Sequence, residues 1–181
     1  VQLANHIEKF HKAGVDVVAL TVDDPGRNEA MRQRWDLPFP IVSDPGGDTY
    51  LRPMGLWNPD ERGGIGVPAV VVLDRDGHEV GRMVSRDFAD RPPEVSSVIA
   101  LAASAGLPPI DHRQPWTADT EPTDHSGAFR ADAFGTYFRA IQFATRALSS
   151  RLTDPGDIAE AQAMQMMCAE FLSERDARRQ G

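Results

Sequence analysis

The chain opens with apolar residues at helical spacing: Leu3, Ile7 and Phe10 recur on one side, while Glu8, Lys9 and Lys12 occupy the other. Gly14 stands where a left-handed cap would end such a helix, which is therefore predicted to stop near Ala13. Beyond it the period changes. Val15 to Val22 (VDVVALTV) is an almost unbroken β-branched and aliphatic run, the pattern of a strand buried on both faces in a parallel sheet.

Asp24-Pro25 sets a capping carboxylate before a residue suited to the first helical turn, and a helix is predicted through Trp35. The same dipeptide returns at Asp44-Pro45 and Asp154-Pro155, and all three are read as helix starts. Leu37-Pro38-Phe39-Pro40 leads into a short strand at Ile41 and Val42, and a short helix broken near Pro53-Met54-Gly55 is predicted after Asp44. Residues 58–66 (NPDERGGIG) are turn formers and charges, hence a surface loop. Ala69 to Leu73 reads as a buried strand, Asp76-Gly77 as a hairpin turn, and His78 to Val84 as the antiparallel return. A helix over residues 92–105 places Val95, Val98, Ile99 and Ala102 on one face.

From Gly106 to Gly127 the chain is rich in proline and polar residues, the composition of a linker. Two amphipathic helices are predicted beyond it. One carries Phe134, Tyr137, Phe138, Ile141 and Leu148, and the other Ile158, Ala161, Met164, Met167, Cys168, Phe171 and Leu172, joined by a capped turn at Thr153-Asp154-Pro155-Gly156. Such a hairpin must bury its apolar faces against something.

Composition narrows the functional classes. With 181 residues, 41% of them hydrophobic, the chain can form one substantial core, with or without an appendage. A net charge of −8 and a pI near 5.0 argue against nucleic acid or an anionic membrane as the main partner. No stretch approaches the roughly 18 consecutive apolar residues of a membrane span, and no signal peptide is visible. The cytoplasm is the expected compartment, with a signal ahead of Val1 left open. The single cysteine, Cys168, rules out a disulfide within these residues and a multi-thiolate zinc site.

Other constellations are sparse. His6 and His11 are five apart and do not share a helix face; His78 lies in the predicted hairpin, and His112 and His125 lie in the linker. No metal and no cofactor is expected from these spacings. Gly63-Gly64-Ile65-Gly66 is too short for a dinucleotide fingerprint and precedes a strand rather than a helix. Asp24 is explained by capping, Asp23 ends a strand, and Trp57 and Trp116 are read as lining a groove or, as is commoner, covering a core edge.

The order up to residue 105 is helix, strand, helix, short strand, short helix, strand, hairpin strand, helix. With VVALTVDDP, LPFPIVSDPGG, GVPAVVVLDRDGHEV and DRPPEV in that sequence, residues 1 to about 105 resemble the alkyl hydroperoxide reductase and thiol-specific antioxidant group of peroxiredoxins, within the thioredoxin superfamily. The resemblance implies an α/β, thioredoxin-like fold: a central mixed sheet flanked by helices, here without its first core strand, followed by a C-terminal helical hairpin. Its domains would be an incomplete redoxin domain at 1–105, a linker at 106–127 and the hairpin extension at 128–181.

The same resemblance implies site residues. Val67-Pro68 matches the superfamily's cis proline, which precedes a core strand and faces the redox cysteine. Arg91 is the best match for the arginine that stabilises the thiolate and polarises the peroxide, with Arg86 as the runner-up. The attacking cysteine of the family sits at the N-terminus of the first core helix, which is already under way at Val1, so it is expected upstream of Val1. Cys168 lies on an apolar helical stripe and is read as a small buried hydrophobe. The strand leading into that first helix would lie between the strands at 15–22 and 69–73, so an N-terminally truncated product is expected.

What the resemblance implies functionally is thiol-dependent reduction of hydroperoxides, with a hydroperoxide substrate, a thiol reductant and a possible homodimer through the C-terminal helices. Two other readings stay open: a redox-inactive thioredoxin-fold interaction module, and a thiol-disulfide reductase with paired cysteines.

Overall fold

The structure is a computed structural model that describes residues 2–85, 94–106, 108–110, 116, 118–123, 130 and 132–180. It comprises two compact bodies, one formed by His6–His125 and the other by the first five residues together with the C-terminal helices.

In the first body, helix α1 (Gln2–Asn5, itself in the second body) gives way at His6 to α2 (Ile7–Lys12), and Gly14 takes the left-handed conformation (φ +75°) that closes it. Strand β1 (Ala19–Thr21) follows and pairs in parallel with β2 (Ile41–Ser43), Leu20 opposite Val42. The predicted strand at 15–22 is thus shortened to its end. Its partner is three residues long, and the ladder is bounded by bonds from Ala19 N to Pro40 O and from Asp44 N to Thr21 O. Helix α3 (Pro25–Arg34) begins as predicted, with Asp24 accepting from Arg27 N.

The helix expected after Asp44-Pro45 is absent, and this is a correction with a clear physical cause. Gly46 and Gly47 stand at φ +83° and +74°, which a right-handed helix cannot accommodate. The Asp44 carboxylate, only 2% exposed, instead collects the amides of Thr49, Tyr50 and Leu51 and ties residues 45–55 into successive turns. Burial pushes its pKa up, but the three amides and the Thr49 hydroxyl outweigh that and hold the carboxyl below its ordinary range.

The loop at 58–66 is framed by a small hairpin of β3 (Trp57–Asn58) and β4 (Ile65–Gly66). Strand β5 (Ala69–Leu73) pairs antiparallel with β6 (Glu79–Val84) across the predicted Asp76-Gly77 turn. Helix α4 (Glu94–Ala105) follows, burying Val98 and Ala102. Among the described residues these ladders form three separate two-stranded sheets. β1 and β5 are accordingly half-buried rather than sealed on both faces, with Leu73 at the end of β5 49% exposed, because among the described residues each strand has a neighbour on one side only. The core of this body gathers Phe10, Leu37, Phe39, Ile41, Leu51 and Leu56. Where described, the expected linker is packed: Ile110 N donates to His11 O (2.9 Å) and Thr123 N to Gly26 O (3.0 Å).

The second body is the predicted hairpin, α5 (Ala133–Ser149) against α6 (Pro155–Gln180). Asp154 starts α6 by accepting from Gly156 N and Asp157 N. Phe138 is 3% exposed and meets Phe134, Tyr137 and Phe171 at ring-centroid distances of 4.6, 5.2 and 5.1 Å. Cys168 is fully buried. Gln2 and Asn5 of α1 bond to Glu170 and Glu174 of α6.

Candidate functional site

The parallel pair β1 and β2 ends beside the first turns of α3, and the sequence there is polar on the inner side. Asn28, 3% exposed, joins the three elements. Its Oδ1 accepts from Thr21 Oγ1 (3.0 Å), and its Nδ2 donates to Ser43 Oγ (2.8 Å) and Asp23 O (3.3 Å). The next residue, Glu29 (4% exposed), receives Arg32 through two bonds of 2.7 Å and Gln33 through another. The Arg32 pair, aided by Gln33 and opposed by burial, holds the Glu29 carboxyl below its ordinary range, and Glu29 raises the Arg32 guanidinium in return.

These side chains line a cavity of about 270 Å³, with Ile41 and Ser43 on one wall and Trp116, Asp119 and Thr120 on another. The Arg32 guanidinium lies over the Trp116 ring, 5.3 Å from its centroid. Glu29 and Arg32 satisfy each other's charge within the cavity wall. The sequence reading missed this cluster. Its members come from residues 25–43 and 116–120, and no single motif holds them; Trp116 was the one visible signal.

The residues implied by the family resemblance fall elsewhere. Val67 and Pro68 lie just before β5, where Val67 N donates to Leu56 O and Pro68 O accepts from Ser85 N. No peptide bond among the described residues is cis, so Val67-Pro68 is trans, contrary to the expectation. A proline at the mouth of a strand has no ladder amide to give, and here the Val67 amide and the Pro68 carbonyl are both paired. Arg91 and Arg86 lie outside the described residues. Cys168 is sealed within α6, and burial pushes its thiol pKa up, the opposite of an activated nucleophile.

Two further features were only partly visible in the sequence. Trp57 is pressed between Gly47 and Gly64 and stacked by Arg52 (4.4 Å to the ring centroid), with its Nε1 buried and no acceptor among the described residues. At the β5–β6 turn, Asp74, Asp76 and His78 each bring one ligand atom within 4.8 Å of the others, a convergence the sequence reading did not anticipate. All three are exposed, and Asp74 Oδ1 already accepts from the amides of Asp76 and His78. The His78 amide is the main reason the Asp74 carboxyl sits below its ordinary range. The turn therefore accounts for the grouping without an ion. Among the described residues no helix is long and apolar enough to cross a membrane.

Comparison with known proteins bears on residues 1–78, which match the sequence model of the AhpC/TSA family. The curated relatives include the chloroplastic peroxiredoxin Q of Populus jackii, 46% identical over 39 residues (22% of this chain, 18% of that protein). Those of Suaeda salsa and Gentiana triflora are each 34% identical over 70 residues, 39% of this chain and 32% and 31% of theirs. The matches thus span about a third or less of the relatives' own length.

Proposed function

We propose, from the match of residues 1–78 to the AhpC/TSA family and from the peroxiredoxin relatives, that the chain serves a thiol-dependent peroxidase that reduces hydroperoxides. The observation that carries the mechanism is the state of Cys168, the one cysteine in the 181 residues, which is fully buried and held as a thiol. In this reading the reactive thiolate is one outside these 181 residues. Its sulfur attacks one peroxide oxygen; an S–O bond forms as the O–O bond breaks, and the alkoxide leaves and takes a proton to become the alcohol. The resulting sulfenic acid condenses with a thiol reductant to a disulfide and water, and a second thiol restores the cysteine. Arg91 would favour the thiolate by its fixed positive charge, and Val67-Pro68 would shape one wall of the pocket. The exposed apolar side chains of α5 and α6 support a homodimer through those helices.

The test is hydroperoxide consumption with a dithiol reductant, measured on this chain, on its Cys168→Ser variant and on the product extended along its upstream reading frame. The expected result is turnover by the extended product alone. Turnover by this chain that disappears in Cys168→Ser would make Cys168 the nucleophile and overturn the reading. An inert extended product would favour an interaction module instead, and two upstream cysteines with activity on disulfides but not peroxides would favour a thiol-disulfide reductase.

A further inference from the structure

Gly26 is the second residue of α3 and adopts an ordinary helical conformation, so nothing in its backbone angles calls for glycine. Within a helix, glycine is disfavoured relative to alanine by up to about 1 kcal/mol. Its surroundings supply the reason. A Cβ placed on Gly26 would lie 2.9 Å from Thr123 Cβ and 3.3 Å from Glu121 O, and would collide with Thr123 Oγ1. At the same point Thr123 N donates to Gly26 O (3.0 Å), using the second lone pair of a helical carbonyl. Six residues along α3, roughly 9 Å on by helical rise, Trp116 lies over Arg32. Trp116 and Thr123 therefore mark two places where this part of the chain meets α3, and Ala118, Asp119 and Thr120 line the cavity between them.

We propose that Trp116 and residues 118–123 form a strap that docks on α3 as the removable wall of this cavity, with Gly26 as the notch that receives Thr123 and Arg32 as the seat of Trp116. Docked, the strap closes the space over Ser43 and Ile41. Released, it turns the cavity into an open groove along α3 whose floor is the Asn28, Glu29 and Arg32 network. The device is independent of the peroxidase reading. A polar, proline-containing segment that merely joined two domains would give no reason for a glycine on the helix it passes.

The test compares three forms of the full chain: the parent, Gly26→Ala and the double variant Gly26→Ala/Thr123→Gly. If the strap is docked, Gly26→Ala displaces it, and cleavage between residues 107 and 125 by a protease of broad specificity quickens about tenfold, since cleavage tracks the open population. The Trp116 contribution to emission, taken as the difference between each form and its Trp116→Phe counterpart, shifts to the red. Removing the Thr123 side chain makes room for the new methyl, so the double variant regains slow cleavage and the parent emission. A Gly26→Ala chain cleaved no faster than the parent, with unchanged Trp116 emission, would overturn the proposal. So would a double variant that stays as labile as the single one, because the methyl would then act through α3 and not through Thr123. Should Gly26→Ala fail to fold, the double variant decides: a folded, slowly cleaved product supports the notch, and a second failure overturns it.

Discussion

Asp44 shows how one carboxylate replaces a secondary-structure element. Its two oxygens take three amides from Thr49, Tyr50 and Leu51, and burial at 2% exposure leaves no water to substitute for them. Because its folded-state pKa is depressed, its contribution to stability is fully present above the ordinary carboxylate value of about 3.9 and is lost as pH falls through the folded value. Asp44→Asn is expected to unfold at lower denaturant concentration at neutral pH, since the amide nitrogen faces donors. It is also expected to flatten the acid limb of the stability curve below about pH 4. Denaturant midpoints measured from pH 2.5 to 7 check both, and parallel acid limbs for parent and variant would contradict the assignment.

At the scale of elements, the three Asp-Pro pairs mark how far sequence reasoning reaches. Asp24 and Asp154 cap helices as the pattern implies, because the residues after them can wind. Asp44 has the same local signal, but the glycines at 46 and 47 take positive φ and divert the chain. Strand position was legible at 69–73 and at 79–84 from the apolar run and turn chemistry, whereas the length of β1 depended on β2, whose paired residues lie 22 positions further along the chain. The cavity was illegible for a related reason: Gly26 has meaning only beside Thr123, and nothing local couples them. The β3–β4 hairpin offers a sharper case. Gly64 stands at φ +117°, and a Cβ there would lie 2.6 Å from Trp57 Cη2. Gly64→Ala is therefore expected to destabilise the first body by at least about 1–3 kcal/mol from backbone strain alone, and calorimetry or urea unfolding measures it. A neutral effect would mean that Trp57 is not held between the glycines in solution.

For the whole molecule, the helical body still shows large apolar side chains, with Phe143 68%, Met166 67% and Leu148 54% exposed. Single exposed hydrophobes are ordinary, but a stable dimer needs only about 1,200–2,000 Å² of total buried surface. Light scattering on the intact chain is expected to give the mass of a dimer, and deletion of residues 128–181 is expected to lower solubility or leave a monomer. A monomeric intact chain, or a truncated product whose mass per particle merely drops by the deleted residues, would refute assembly through these helices. The family resemblance over the first part of the chain was readable because its short motifs keep their order. Of the site residues it implied, Arg91 and Arg86 fall outside the described residues, and only the cis geometry expected of Val67-Pro68 is corrected.

The sealing of Cys168 gives the chain a built-in clock. A thiol-specific dye can reach the sulfur only when the packing around it opens, so under conditions where labelling is faster than reclosing, the rate of colour development counts openings at this one position. With no second thiol among the 181 residues to contribute background, the fluctuations of one body can be timed in the intact chain, without cutting it apart and without adding a label beforehand.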